Sequence, residues 1–177
     1  MRRESLTGML DSSDAASQLA FGQQLVWRPR VTVACVIERG GKYLLVEEEI
    51  HDERLLNQPA GHLEPGESLI EAAVRETREE TGWQVRPTGL IGVYQWASPH
   101  SREQYLRFAF SAIAESHDAS LPLDAGILRA LWLEPSEIDG IRHRPRSPMV
   151  LRNIADAERR SPLPLDTLHC YPLAGSI

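Results

Sequence analysis

Three carboxylates on the inward edge of one helix constrain this chain more than any other feature of its sequence. Ser68-Leu69-Ile70-Glu71 has the Ser-x-x-Glu form of a capping box, and the helix it opens runs to Thr81, with Gly82 as its stop signal. At about 100° per residue, Leu69, Ile70, Ala73, Val74 and Thr77 form one stripe, which predicts burial. Glu80 falls inside that stripe and Glu76 and Glu79 fall beside it, so spacing alone gathers three negative charges on one edge of the core-facing surface. Exposed like charges at that spacing cost roughly 0.2 to 0.5 kcal/mol per pair, and a partly buried carboxylate costs more unless something positive neutralises it. A bound cation resolves the conflict. Hard oxygen donors suit Mg²⁺, with Mn²⁺ as a substitute because both accept oxygen ligands in octahedral geometry. The plainer reading is a solvated acidic face braced by Arg75, which lies four residues from both Glu71 and Glu79.

The segment before the helix narrows the choice. Gly61-His62-Leu63-Glu64-Pro65-Gly66-Glu67 holds two glycines and a proline, which predict a shaped loop without regular structure. Gly61, Glu67 and Arg75-Glu76-Thr77-Arg78-Glu79-Glu80-Thr81-Gly82-Trp83 then follow one long spaced pattern. That pattern resembles the Nudix box. Thr77 is a departure, being β-branched but not aliphatic where the box has an apolar residue, and its place in the stripe makes this a matter of packing. The resemblance implies an α/β fold, an α/β/α sandwich with a mixed β-sheet, and hydrolysis of a phosphoanhydride bond by metal-activated water attacking phosphorus. It further implies Glu76, Glu79 and Glu80 as metal ligands, joined by the Gly61 carbonyl, with Glu67 and Arg75 fixing loop to helix. The proton acceptor it implies is Glu79 or Glu80, with Glu103 as an outside candidate.

Around this unit the chain reads as one domain. Val31–Ile37 is a β-branched strand, Arg39-Gly40-Gly41-Lys42 a turn and Tyr43–Val46 a second strand, forming a hairpin. A short extended piece spans Leu55–Ala60, further strands are expected at Leu90–Trp96, Tyr105–Ala114 and Leu128–Leu133, and helical pattern returns at Pro135–Ile138 and from Ser147-Pro148 to about Glu158. Residues 1–26, rich in Ser, Asp, Ala and Gln, are expected to be a weakly ordered extension with a short helix around Ala15–Leu19. A catalytic domain over 27–160 and a C-terminal tail over 161–177 packing on it complete the division.

Composition then excludes classes. Of 177 residues, 42% are hydrophobic and 25% charged, ordinary for a soluble domain. A net charge of −6 argues against an extended nucleic-acid surface while leaving small anionic ligands open. Two cysteines are too few for a disulfide scaffold, and Cys35 within an apolar run reads as a buried thiol. No run reaches the roughly 18 apolar residues needed to span a bilayer, and the start lacks the apolar stretch of a signal peptide, so a cytoplasmic protein, monomer or homodimer, is expected.

Outside the box, Val31–Val36, Leu56–Glu64, Gln95-Trp96, Leu106-Arg107-Phe108 and Arg146-Ser147-Pro148 resemble bacterial Nudix phosphatases of the NudJ type. That implies nucleoside diphosphates, nucleoside triphosphates or thiamine-related pyrophosphates as substrates. Pro99 also suits members that cleave ADP-ribose or another nucleoside diphosphate-linked compound, the alternative reading; a non-catalytic ligand sensor fits less well, because the Arg-Glu-x-x-Glu-Glu run is intact. Arg107, a cation among Leu106, Phe108 and Phe110, needs a partner or ligand. Arg102, in the loop between two strands, and Trp96, which could stack on a ring, are the other substrate-binding candidates.

Overall fold

The β-branched run expected to form a strand is the centre of strand β1 (Arg30–Arg39), and the rest of the molecule is arranged around it. The computed structural model describes residues 27–171 apart from 100, 102, 141 and 142, so the expected helix at Ala15–Leu19 and the extension before Trp27 lie outside the described residues. Strands β2 (Lys42–Ile50), β3 (Glu53–Asn57) and β4 (Ala60–His62) precede helix α1 (Leu69–Thr81). Strands β5 (Trp83–Ala97), β6 (Gln104–His117) and β7 (Ile127–Leu133) follow, then helices α2 (Pro135–Gly140) and α3 (Pro148–Arg159) and a 3₁₀ turn at Leu165–Thr167.

The strands form a mixed sheet in the order β3-β2-β1-β6-β5, with β4 added to β1 and β7 to β2. β1 runs parallel to β6 along most of its length, from Arg30 beside Tyr105 to Ile37 beside Ala112. On its other side it changes partner: Thr32 to Ala34 pair with β4, while Glu38 and Arg39 pair with β2. The sheet therefore divides along one flank of β1. Gly40 and Gly41, both at positive φ, make the two-residue turn into β2.

Alternation along the strands loads both faces. Val33, Cys35 and Ile37 pack with Leu44, Phe110, Ala112 and the α1 residues Ala72 and Ala73. Val36 points the other way, into a cluster with Tyr43, Leu45, Ala109, Ile138 of α2 and Ile154 of α3. Helices on both faces of a mixed sheet make the α/β/α sandwich. Cys35 is wholly buried, as its setting in sequence suggested, with its thiol pushed up to about 12 by burial. Beyond α3, Leu163 exchanges backbone hydrogen bonds with Leu90, and Leu165 and Leu168 pack against the α1-side core. No helix among the described residues is long and apolar enough to cross a membrane.

Three expectations need correction. β5 begins at Trp83 rather than Leu90. Pro87 and Gly89 disguise it, and the strand tolerates them because it lies at a sheet edge and bulges at Gln84/Val85, Pro87/Gly89 and Leu90/Gly92. β2 continues through Glu47, Glu48 and Glu49 and turns back through His51 and Asp52, both at positive φ. Distant arginines balance that acidic run: Arg129 and Arg144 bind Glu47, and Arg146 binds Glu48. Finally, Gly61 and His62 belong to β4 and not to the loop, because β1 offers them a backbone to pair with.

Candidate active site

The helix at the centre of the site is capped as its sequence requires. Ser68 Oγ accepts from the Glu71 amide at 3.2 Å and Glu71 Oε2 accepts from the Ser68 amide at 2.8 Å. At the other end, Gly82 takes φ 71° and its amide donates to the Arg78 carbonyl. The buried stripe is Ala72, Ala73, Glu76, Thr77, Glu80 and Thr81, with Leu69, Ile70 and Val74 only partly covered. The helix is thus rolled so that Glu76 and Glu80 lie within the buried face. Thr77, the departure from the box pattern, is fully buried and donates its hydroxyl to the Ala73 carbonyl at 2.8 Å, so no polar group is stranded.

Arg75 organises the carboxylates. Its guanidinium forks onto Glu67, Nε to Oε2 at 3.0 Å and Nη2 to Oε1 at 2.7 Å, while Nη1 reaches Glu76 at 2.9 Å and Glu79 at 3.0 Å. Nη2 also donates to the His62 carbonyl at 3.0 Å, tying helix to β4. The Arg75 hydrogen bonds hold Glu67 below the usual carboxylate range, and Glu67 Oε1 accepts in addition from the Glu64 amide at 2.7 Å. Glu71 is occupied by the cap, so the bracing of Glu71 by Arg75 that spacing allowed is replaced by the fork onto Glu67.

One cation does not balance this many carboxylates. Burial pushes Glu76 up, and it pushes Glu80 further, to about 9, with Glu48, Glu76 and Asp124 adding repulsion. Glu80 Oε2 accepts from the Ala60 amide at 2.8 Å, on the strand that carries Gly61. Gly61 lies so close to Glu76 that a Cβ there would overlap its whole carboxylate group. Oxygens of Glu76, Glu79 and Asp124 lie within 4.8 Å of one another. Asp124, whose amide donates to the Glu79 carbonyl at 3.1 Å, comes from the β6–β7 connection and was missed by sequence reasoning, since no local spacing relates it to the helix. An all-oxygen donor set with uncompensated negative charge fits a hard divalent cation.

A family model for the NUDIX domain matches residues 27–154. The chain belongs to the Nudix family. Phosphatase NudJ of Escherichia coli K12 is 38% identical over 146 residues, 82% of this chain and 85% of that protein. A solved NUDIX hydrolase from Nitrosomonas europaea is 47% identical with a TM-score of 0.80, covering 81% of this chain and 98% of the other. The solution structure of the E. coli ORF135 protein is 25% identical with a TM-score of 0.59, covering 77% of this chain and 96% of its own. This chain is accordingly a Nudix hydrolase that acts on phosphoanhydride substrates.

Beside the Nudix box, Arg107 is buried, and its Nη1 donates to Asn57 Oδ1 at 3.3 Å, while Asn57 Nδ2 donates to Glu48 at 2.8 Å. Loss of hydration lowers the Arg107 guanidinium to about 10, against the pull of Glu48 and Glu80. Trp96 is partly exposed and tilts over Tyr105, ring centroids 5.6 Å apart. Glu103, the outside candidate for proton acceptor, is committed to Arg30 at 2.6 Å and to the Tyr105 hydroxyl at 2.9 Å. Arg102 lies outside the described residues. Together with Trp27, His62, Glu64 and Pro65, the Arg30–Glu103 pair lines an open cleft of about 880 Å³.

Proposed function

We propose that this protein hydrolyses nucleoside diphosphates and triphosphates, or thiamine-related pyrophosphates, in the cytoplasm, by attack of water on phosphorus, releasing orthophosphate. The observation that carries the reading is the gathering of Glu76, Glu79 and Asp124 oxygens within 4.8 Å of one another, beside a glycine that leaves the Glu76 carboxylate room. Similarity to a protein named a phosphatase, over most of both chains, supports the choice of product. Glu76, Glu79, Glu80 and the Gly61 carbonyl, joined by Asp124, would hold Mg²⁺, or Mn²⁺ in its place. When bound, the cation supplies charge neutralisation and a more acidic water.

The chain's own groups do the rest. Glu79 or Glu80 takes the proton from the attacking water. Glu80 is the more protected of the two, with its Ala60 hydrogen bond holding the carboxylate in one orientation. Glu67 and Arg75 position the loop against the helix, so that the Gly61 carbonyl and the Glu76 carboxylate stay in register. Arg107, Arg102 and Trp96 are the proposed substrate contacts.

The test is release of orthophosphate and pyrophosphate, with and without Mg²⁺, across nucleotides, ADP-ribose and thiamine pyrophosphates, with Glu80→Gln as control. Metal-dependent orthophosphate release that the substitution abolishes is expected. Cleavage of ADP-ribose alone would replace this reading with the nucleoside diphosphate-linked one.

A further inference from the structure

The four tryptophans of the chain are not used alike. Trp83 has His117 and Trp132 as ring neighbours, with centroids 4.7 and 5.6 Å away, and the Arg39 guanidinium lies 5.3 Å from its ring. Trp96 tilts over Tyr105. Trp27 is 54% exposed and meets neither a ring nor a cation among the described residues. Next to it Arg28, also exposed, makes no hydrogen bond or ion pair among them. On a convex surface such a pair would mean little, but both residues line the 880 Å³ cleft.

That cleft is built at the end of the sheet rather than on one face of it. Trp27 and Arg28 lead into β1, and the other lining residues come from the end of β4, the loop after it and the starts of β1 and β6. His62 is level with Thr32, on the face turned away from the core that holds Val33, whereas Leu63 packs against that core on the α1 side. The lining therefore passes round the end of the strands from one face to the other. Its shape is fixed, because the Leu63 amide donates to the Val31 carbonyl at 3.1 Å and Arg30 is paired with Glu103 at 2.6 Å. The same lining adjoins the box. His62 follows Gly61, which sets their Cα atoms about 3.8 Å apart. Glu64 donates its amide to Glu67, which Arg75 ties to Glu76 and Glu79.

A free indole face is matched by a flat ring through stacking. His62, Glu64 and the Arg30–Glu103 pair surround the same space with donors and acceptors, which an aliphatic chain would leave unused and the nitrogen edge of a heterocycle would meet. Arg28 adds a positive charge without a counterion, which suits a ring joined to phosphates. We propose that the cleft holds the nitrogen heterocycle of the substrate, stacked on Trp27, with its phosphate chain running past Arg28 and His62 to the Gly61 end of the box. This deepens the hydrolase reading above and rests on it for the phosphates.

Tryptophan fluorescence of the full-length protein in EDTA reads the ring alone. Adenosine and thiamine, rings without phosphate, are the probes, and ribose 5-phosphate, phosphate without a heterocycle, is the control. At least one ring probe should quench the emission saturably, and which one does so assigns the ring to a nucleoside or to thiamine. Ribose 5-phosphate should not quench, and the quenching should disappear in Trp27→Phe, which keeps a stacking face but lacks the indole. With Mg²⁺ and the compound hydrolysed fastest, Trp27→Ala should raise KM roughly tenfold with kcat within about twofold of the wild type, and Trp27→Phe should recover most of the loss. Trp27 belongs to neither core cluster, so these variants should keep the circular dichroism of the wild type. Absence of quenching by both ring probes overturns the proposal. So does quenching that persists in Trp27→Phe, which would move the ring to another tryptophan. Quenching through Trp27 with KM unchanged in Trp27→Ala would detach the cleft from the substrate and overturn it equally. Quenching through Trp27 in a protein that hydrolyses none of these compounds would sink the proposed function and leave the ring site standing.

Discussion

Space alone decides Gly61. Its backbone is outside the left-handed region, so alanine would fit the chain's conformation and fail only because its methyl overlaps the Glu76 carboxylate. Gly61→Ala should keep the far-ultraviolet circular dichroism of the wild type while losing at least roughly tenfold in Mg²⁺ affinity by calorimetry, because Glu76 must swing away. Wild-type affinity in the variant would contradict this placement of the ligands. Glu80 gives a second test through pH. Its value in the folded protein, about 9, stands above the ordinary 4.5, so folding favours the protonated form. That contribution is complete below about 4.5 and is lost as pH rises through about 9. In EDTA the wild-type Tm should fall between pH 5 and pH 9, and Glu80→Gln, which cannot ionise, should gain stability over the wild type as pH rises. A Tm difference that is the same at both pH values would refute the account.

Among the elements, α1 has the clearest sequence signature. Removing the Ser68 hydroxyl breaks one of two reciprocal bonds at its start. Ser68→Ala should cost about 1 kcal/mol, read as a Tm drop of roughly 2 to 4 °C in calorimetry. The cap, the helix and Gly82 were legible because each depends on residues within a few positions of one another, and so was the Gly40-Gly41 hairpin. The acidic half of β2 was not. The expected strand stopped at Val46, where the apolar pattern gives way to Glu47, Glu48 and Glu49, and Arg129, Arg144 and Arg146 arrive from beyond β6 to neutralise two of these. β5 was half hidden for a different reason, since Pro87 and Gly89 are breakers in isolation and become acceptable only on an edge strand that bulges.

At the scale of the whole molecule, long-range placement adds what the box lacks. Asp124 reaches Glu76 and Glu79 only because the β6–β7 connection folds back over the end of α1. Asp124→Asn should weaken Mn²⁺ binding by roughly tenfold, checked by electron paramagnetic resonance titration of the free ion; unaltered binding would remove Asp124 from the cation site. The family match begins at Trp27. A chain truncated to start there should retain wild-type turnover and Tm, and a large loss of either would show that residues 1–26 contribute to the domain. β4 carries one more implication. Its consecutive residues serve opposite sides of the sheet, Gly61 beside the Glu76 carboxylate and His62 in the row of Thr32 and Arg107. Descent with insertions and deletions can therefore lengthen the connections freely, yet a single residue gained or lost between Ala60 and His62 would exchange the two surfaces and destroy both at once. Diversification of such a protein is confined to substitutions there.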